Sequence, residues 1–277
     1  MRYTVLSEVP NKELMECINM AFSDYVIPIH FTEDTLQKFL EASDINKSLS
    51  FCAYSENSMV GFILNSSNIY NDEQVVFDAG TGVIPEFRGK GVFSELFSFA
   101  EQKLRKCGIK KYYLEVLQQN TRAKALYERK GFSVAREFSV MQLTGKTEAG
   151  KSPDIQVIKL TAFDFFAVSS LTLVKPSYEH SYNIIRKNAG IYDVVYLKNR
   201  GRITAFCVYC ADGGRVVELG YSTLLDLKKV LIYIASACEK VTAKNIDTSY
   251  TAVMEMLISI GFKQIAEQYE MVKEIGK

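Results

Sequence analysis

Residues 80–96 read GTGVIPEFRGKGVFSEL, and this stretch decides the fold. The residues up to Val83 have the pattern of a β-strand, whereas the apolar spacing over 91–107 predicts a long amphipathic helix. The loop between them contains two glycines and two cations: Arg88, Gly89, Lys90 and Gly91. The first turn of a helix has backbone N–H groups without partners and a partial positive charge, and glycines let an anion come close to them. The stretch therefore predicts a strand, loop and helix that bind a phosphate group.

Helix and strand patterns alternate on both sides of this unit. The predicted helices cover 11–22, the residues after Thr32, 91–107 and 121–130, and the predicted strands cover 49–54, 59–65, 75–83, 111–117 and 138–143. This alternation predicts a fold of the α/β (α+β) class.

The second half of the chain repeats the first half weakly but in the same order. The stretch LYERKGFSVAREFSVM (126–141) returns as LISIGFKQIAEQYEM (257–271). The hairpin FCAYSENSMVGFIL (51–64) has its counterpart in VVYLKNRGRITAFCVY (194–209). Two matches in the same order predict two copies of one structural unit.

A linker is predicted between the two copies. Residues 144–154 (TGKTEAGKSPD) contain Gly, Pro and Ser but no aliphatic residue larger than alanine. We therefore predict a first domain over 1–143, a linker over 144–154 and a second domain over 155–277.

The composition is that of an ordinary globular protein. The chain has 277 residues, with 33 Lys and Arg against 32 Asp and Glu, so its formal net charge is +1. A balance this close to neutral lacks the excess of positive charge that is typical of proteins that bind nucleic acid or an anionic membrane. The longest apolar stretch, 230–238, is far too short to cross a bilayer. We therefore expect neither a nucleic-acid partner nor a membrane partner.

The six cysteines predict reduced, buried thiols. They are scattered through segments with regular patterns, and we expect no signal peptide before the first strand-like stretch. Cys207 and Cys210 stand three residues apart in an alternating strand, so their sulfurs face opposite sides and cannot share an ion. We expect a cytoplasmic protein without a metal site.

The loop resembles the pyrophosphate loop of the GNAT acetyltransferases, whose form is Gln/Arg-x-x-Gly-x-Gly/Ala at the same strand-to-helix junction. It runs here from Arg88 to Phe93, and Phe93 stands where the family has glycine or alanine. The Phe93 side chain must therefore point away from a diphosphate. A second signature of the family, Asn120-x-x-Ala123-x-x-Leu126-Tyr127 followed by Gly131-Phe132, is also present. The resemblance covers 1–143 in element order.

This resemblance implies two fused GNAT-like domains, each a mixed, mostly antiparallel sheet with helices on both faces. It implies acetyl-coenzyme A as co-substrate of the first domain. The residues that it assigns to the cofactor are Val83, Arg88, Gly89, Lys90, Gly91, Val92, Phe93, Ser94 and Asn120. We expect transfer of the acetyl group to an amine acceptor, which is a small molecule or a peptide.

Three residues are candidates for moving protons in this transfer. The resemblance places Tyr127 beside the thioester sulfur as general acid, and a phenol is acidic enough for a thiolate leaving group. Asp78 lies on the strand that leads to the loop, and Glu115 lies on the neighbouring strand; either can receive the proton of the amine, directly or through water. Tyr25 and His30 lie between the first two helices, where the family builds its acceptor entrance, and are candidates for binding the acceptor.

The second copy lacks the features that would bind a cofactor. Residues 220–223 (GYST) lead directly to the next helix without a Gly-x-Gly loop. On the alignment of the two Gly-Phe pairs, Tyr127 falls opposite Leu257 and Asn120 falls opposite Tyr250. We therefore expect this domain to serve packing, substrate enclosure or the formation of a homodimer.

A function of another class stays open. A non-catalytic protein that binds or senses acyl-coenzyme A fits the same loop, because Phe93 departs from the family pattern and the base is unassigned. Thioester cleavage, assayed over a panel of amines, distinguishes the two. An aminoacyl transferase that uses charged tRNA would need a basic surface excess, which the net charge of +1 does not supply.

Overall fold

The helices and strands predicted between residues 11 and 143 occur in the predicted order. The structure is a computed structural model, and it describes residues 1–24, 29–147 and 154–275. The helices are α1 (Asn11–Ala21), α2 (Glu33–Ala42), α3 (Val92–Lys106), α4 (Thr121–Arg129), α5 (Tyr182–Ile185), α6 (Leu224–Ala237) and α7 (Thr251–Ile260). The strands are β1 (Arg2–Val5), β2 (Phe51–Ser55), β3 (Ser58–Tyr70), β4 (Glu73–Val83), β5 (Lys111–Leu117), β6 (Ser133–Thr144), β7 (Ile155–Lys159), β8 (Thr172–Leu173), β9 (Tyr192–Asn199), β10 (Arg202–Cys210), β11 (Arg215–Tyr221), β12 (Lys240–Asp247) and β13 (Lys263–Glu274).

Local sequence signals explain the helices that frame the first sheet. The Thr32 side chain accepts the N–H of Thr35, and the Thr35 hydroxyl accepts the N–H of Thr32, so α2 begins at a capping box. α3 presents one apolar face, and its buried residues are Val92, Phe93, Leu96, Phe97, Ala100 and Leu104. Their spacing of three and four residues is the period of a helix that packs one face on a sheet.

The chain forms two compact units that are not contiguous in sequence. Unit 1 comprises Met1–Glu115, Ala125–Ser133 and Met271–Lys277, and unit 2 comprises Val116–Lys124 and Val134–Glu270. Most of β6 therefore belongs to unit 2, although it precedes the predicted linker. The boundaries of the two sequence copies at 144–154 are a separate prediction, and 148–153 lie outside the described residues.

The sheet of unit 1 is antiparallel except at one pair of strands. Its order is β1-β2-β3-β4-β5, followed by the last residues of β13, from Met271 on. β4 and β5 run parallel, and their pairing ends where Asp78 lies opposite Leu114. β4 itself continues to Val83. The two strands therefore part before the loop that the sequence singles out.

The sheet of unit 2 has the order β6-β12-β11-β10-β9-β7. Here β11 and β12 are the parallel pair, with Arg215 opposite Thr242 and Val216 opposite Ala243. The short strand β8 pairs antiparallel with the end of β11. Both units thus have the mixed, mostly antiparallel sheet with flanking helices that was predicted.

Matching β-bulges show that the two sheets are built alike. The extra residue of the bulge between β3 and β4 is Ala79, and the bulge between β10 and β11 has Val217 in the same place. A second pair of bulges lies in the preceding hairpins, where Val60 of β3 is unpaired with β2 and Thr204 of β10 is unpaired with β9. The same register pairs Phe62 with Gly82 and Phe206 with Gly220.

These two glycines are required by close packing. A Cβ atom on Gly82 would lie 2.7 Å from the Phe62 ring, and one on Gly220 would lie 2.6 Å from the Phe206 ring. The two sheets share their strand register, their bulges and this packing of a ring on a glycine, which supports the interpretation of two copies of one unit. The shared register also gives the paired residues of one sheet their equivalents in the other.

The cysteines are free, and four of the six are buried. Cys107 is exposed and Cys238 is partly exposed, so the expectation that all six are buried is wrong for these two. Cys107 follows the last residue of α3, where the helix ends at the surface. Among the described residues, no helix has the length and apolar character needed to span a membrane.

Candidate functional site

The start of α3 is shaped to receive an anion. Gly91 is the N-cap residue in the left-handed conformation (φ +82°), and as a glycine it has no side chain to cap the helix. Gly89 also has a positive φ of +75°. A Cβ atom on Gly89 would meet nothing within 4 Å, and one on Gly91 would meet only Glu95 Oε1 at 4.0 Å. The loop therefore needs glycine for its backbone angles, and the space in front of it is open.

Phe93 stands where the family pattern has glycine or alanine, and its side chain points into the protein interior. Its side chain is buried, and its ring packs edge-on against Tyr127 at 5.8 Å between ring centroids and against Phe97 at 5.8 Å. The amides of Val92, Phe93 and Ser94 belong to the first turn of α3, where N–H groups have no intrahelical acceptor. The departure at Phe93 thus leaves the backbone of the loop available.

Arg88 holds the loop rather than facing the open space. Its guanidinium donates to both carboxylate oxygens of Asp24, at 2.6 and 2.9 Å, and to the carbonyl of Ala21 at 2.6 Å. Its Nε donates to the carbonyl of Val83 at 3.0 Å. The expectation that Arg88 adds charge beside a phosphate is therefore not what this geometry favours. Lys90, with its ammonium 5.2 Å from the Phe87 ring centre, is the exposed cation of the loop.

Tyr127 is held between aromatic rings and a carboxylate. Its ring packs edge-on against Phe93 and against Phe132, at 5.8 and 5.6 Å between centroids. Its hydroxyl donates to Asp78 Oδ2 at 3.1 Å. The structure thus brings the candidate acid and one of the two candidate bases into direct contact, across 49 positions of sequence.

Asp78 lies at the point where β4 and β5 part. Burial raises the pKa of Asp78 to about 6, although hydrogen bonds from Thr81, Tyr127 and Gly80 favour the ionised form. The Thr81 hydroxyl donates to Oδ2 at 2.7 Å, and the N–H of Gly80 donates to Oδ1 at 3.0 Å. The sequence did not single out Thr81, because nothing in the strand pattern marks the bulge at Ala79 that brings it near Asp78.

The remaining candidates lie elsewhere. Glu115 follows Leu114 on β5, and since Leu114 is the partner of Asp78, the Glu115 side chain faces the other side of the sheet. His30 is exposed, and Tyr25 lies outside the described residues. Asn120 belongs to unit 2, where its Oδ1 accepts the N–H of Ala123 at 3.1 Å at the start of α4.

Unit 2 has different residues at the equivalent positions. The matching registers place Val216 where unit 1 has Asp78, and Lys244 where it has Glu115. The N–H of Phe262 donates to the carbonyl of Leu257, as the N–H of Phe132 donates to the carbonyl of Tyr127. The alignment of Tyr127 with Leu257 is thereby supported.

The helix start in unit 2 is already capped. α6 follows β11 after two residues, and the Thr223 hydroxyl accepts the N–H of Asp226 at 3.2 Å. Asp226 adds a negative charge to the first turn, which disfavours an anionic ligand.

The edge of β11 beyond its parallel pairing is occupied by the chain itself. β8 pairs with Gly220 and Tyr221, and the N–H of Val174 donates to the carbonyl of Leu219 at 3.2 Å. The N–H of Lys175 donates to the Tyr250 hydroxyl at 3.2 Å. In unit 2 the space between the parting strands is therefore filled by residues 172–175.

Comparison with protein families places residues 13–132 in the family described as Acetyltransferase (GNAT) family. A curated relative, the uncharacterized N-acetyltransferase YycN of Bacillus subtilis (strain 168), is 31% identical over 78 residues. That match covers 28% of this chain and 50% of the relative, so the chain spans about half the length of the curated relative that it matches.

Solved structures with the same fold match over the whole chain. A GCN5-related N-acetyltransferase from Sphaerobacter thermophilus has a TM-score of 0.66 at 16% identity, over 100% of this chain and 95% of that one. A tandem GNAT protein from the clavulanic acid biosynthesis pathway has a TM-score of 0.65 at 11% identity, over 100% and 99%. The predicted fold of two GNAT-like domains is confirmed.

The raised pKa of Asp78 makes stability depend on pH. The native pKa of about 6 exceeds the ordinary value of 3.8, so the native state holds a proton that the unfolded chain has lost between pH 4 and pH 6. Wild-type stability should therefore fall as pH rises through this window, by up to about 3 kcal/mol. Asp78→Asn cannot titrate, and urea unfolding of both proteins from pH 4 to pH 7 should show the variant gaining relative stability. A difference that does not change with pH would contradict the raised pKa of Asp78.

Proposed function

We propose that the chain belongs to the acetyltransferase (GNAT) family that its residues 13–132 match, and that unit 1 transfers an acetyl group from acetyl-coenzyme A to an amine. One observation carries the proposal: α3 begins at an uncapped left-handed glycine with open space before it. A helix start of this kind binds the diphosphate of a nucleotide-type cofactor through backbone amides.

The diphosphate is assigned to the amides of residues 89–94. Lys90 supplies the nearby positive charge, while Arg88 fixes the loop through Asp24 and the Val83 carbonyl. Beyond Asp78, β4 continues without β5 beside it, and its backbone groups there are suited to a ligand that adds itself to the strand edge. Val83 serves through its backbone at the end of that edge.

Tyr127 is assigned the role of general acid. The co-substrate supplies an activated acetyl group and a thiolate leaving group, and a phenol is a sufficient proton donor for a thiolate. The rings of Phe93 and Phe132 fix the Tyr127 ring, and its hydroxyl points at Asp78. The phenol proton is thus held at a defined place next to the parting of β4 and β5.

We assign to Asp78 the role of general base, which accepts the proton of the attacking amine. With a pKa of about 6 it is mostly ionised at neutral pH, and it binds a proton at little cost. Because Asp78 and Tyr127 share a hydrogen bond, that proton can pass to Tyr127 once Tyr127 has given up its own. Glu115, acting through water, is the other carboxylate named from the sequence, but Asp78 is preferred because the Glu115 side chain faces the opposite side of the sheet. Comparison of Asp78→Asn with Glu115→Gln in kcat against pH separates the two.

The acceptor is assigned as an amine on a small molecule or a peptide, with Tyr25 and His30 at its entrance. The second sequence copy, residues 155–277, is assigned a structural role without a cofactor, in packing, substrate enclosure or dimer formation. Its capped helix start and the strand β8 both support that assignment.

The first test concerns the loop. Gly91→Glu places a negative charge and bulk before the first turn of α3, so coenzyme A affinity should fall at least about tenfold. Gly108→Glu is the matched control, because Gly108 also has a positive φ (+75°) with nothing within 4 Å, at the opposite end of α3. Calorimetric titration of both variants and the wild type with coenzyme A measures the effect. Equal affinities of the two variants would rule out this diphosphate site.

The second test concerns the acid. Tyr127→Phe keeps the ring packing on Phe93 and Phe132 and removes only the proton donor, so kcat should fall about 10²-fold while coenzyme A affinity hardly changes. Steady-state kinetics with a responsive amine, with the chemical step shown to be rate-limiting, measures this. An unchanged kcat would show that the phenol is structural. Binding of acetyl-coenzyme A without turnover of any amine would instead favour the acyl-coenzyme A sensor.

A further inference from the structure

Unit 2 contains a large cavity on the side of its sheet away from α6. Its volume is about 700 Å³, which is within the range of small-molecule sites. Residues of β9, β10 and the chain between β7 and β8 line it, and those that carry the argument are Phe163, Tyr196, Lys198, Arg202, Ile203 and Thr204.

The cavity exists because a helix is missing. In unit 1 the chain after β1 forms the eleven-residue helix α1, which buries one face on the sheet. In unit 2 the chain between β7 and β8 forms two 3₁₀ turns, Leu160–Ala162 and Phe165–Val168, and the helix between β8 and β9 is the four-residue α5. These shorter elements leave uncovered the strand positions that α1 covers in unit 1.

The sheet residues beneath the cavity have become polar. The matching bulges make Thr204 the equivalent of Val60, and the N–H of Ser222 donates to the Thr204 carbonyl as that of Ile84 does to Val60. By the same register Lys198 stands where unit 1 has Tyr54. Val60 is only 1% exposed in unit 1. Loss of a helix alone would leave apolar side chains at these strand positions. Instead, a hydroxyl group stands in place of Val60 and an ammonium group stands in place of Tyr54.

Polar groups in the cavity lack partners. The Thr204 hydroxyl oxygen is buried, and it has no hydrogen-bond partner among the described residues. Neither Lys198 nor Arg202 forms an ion pair within the described part of the chain. Asp164 is the one carboxylate of the lining, and its Oδ1 accepts the N–H of Phe166 at 2.9 Å. The charge of the lining is therefore positive, and a buried hydroxyl without a partner costs stability unless a ligand satisfies it.

We propose that this cavity is a ligand site that takes a small organic anion, with its anionic group toward Lys198 and Arg202 and its apolar body against Phe163 and Ile203. The Thr204 hydroxyl donates to the ligand. Carboxylates and phosphate esters share the required chemistry. The site is independent of the acetyl-coenzyme A site proposed for unit 1.

Methyl-labelled isoleucine in the full-length protein locates binding directly. Ile158 and Ile203 line the cavity, whereas Ile18 and Ile63 lie in the core of unit 1. Phenylacetate and phenyl phosphate are the probes, and neutral phenylacetamide is their control. We expect saturable shifts of the Ile158 and Ile203 signals with at least one anion, and binding of the amide at least about tenfold weaker. The tighter anion identifies the preferred head group.

Two variants test the groups assigned to the site. Lys198→Met with Arg202→Met removes both positive charges, keeps an unbranched apolar stem at each position and should weaken anion binding about tenfold or more, with coenzyme A affinity unchanged as a control of folding. Thr204→Val copies the residue of unit 1, so it should weaken binding while the thermal midpoint without ligand stays equal or rises. No saturable shift up to about 50 mM, where even millimolar sites fill, equal binding of the amide, or full affinity in the double variant would each overturn the proposal.

Discussion

The parallel pairing of β4 and β5 ends at Asp78, and the proposed function depends on that end. The pairing of β4 with β5 ends next to the bulge at Ala79, so β4 continues to Val83 paired with β3 and leads to the glycine loop. The same bulge lets Gly80 and Thr81 hydrogen-bond Asp78, which in turn accepts the Tyr127 hydroxyl. The free edge of β4, the start of α3 and the position of the Tyr127 hydroxyl therefore all depend on where the pairing of β4 with β5 ends.

In unit 2 the parallel strands also part, but the free strand edge is covered by the chain itself. β11 and β12 also part after a short parallel pairing, and the bulge at Val217 is retained. There, however, β8 occupies the free strand edge and Thr223 caps the following helix. An opened edge in a sheet must be satisfied, by a ligand or by the chain itself. Unit 2 thus has the same register and bulges as unit 1, but Val216 stands in place of Asp78 and a capped helix start follows β11.

Much of this could be predicted from sequence because it is local. The glycine loop, the capping box of α2 and the order of elements are signals within a few residues, and the repeated Gly-Phe pair disclosed the second copy. Long-range pairings could not be predicted. The contact of Arg88 with Asp24 spans 64 positions, and no periodicity marks it. The grouping of Met271 onward with unit 1 depends on strand order, which the sequence pattern does not specify. The cavity over Thr204 arises from the loss of a helix, and only the matched registers reveal it.

The central claim is that the parting of the strands makes one cofactor site, at the start of α3, and not two. Titration of the pure full-length protein with acetyl-coenzyme A, followed by calorimetry, measures the number of sites directly. The account predicts a stoichiometry near one. A stoichiometry near two would show that unit 2 opens its strand edge to the cofactor, and the absence of binding would remove the basis for the proposed acetyl transfer.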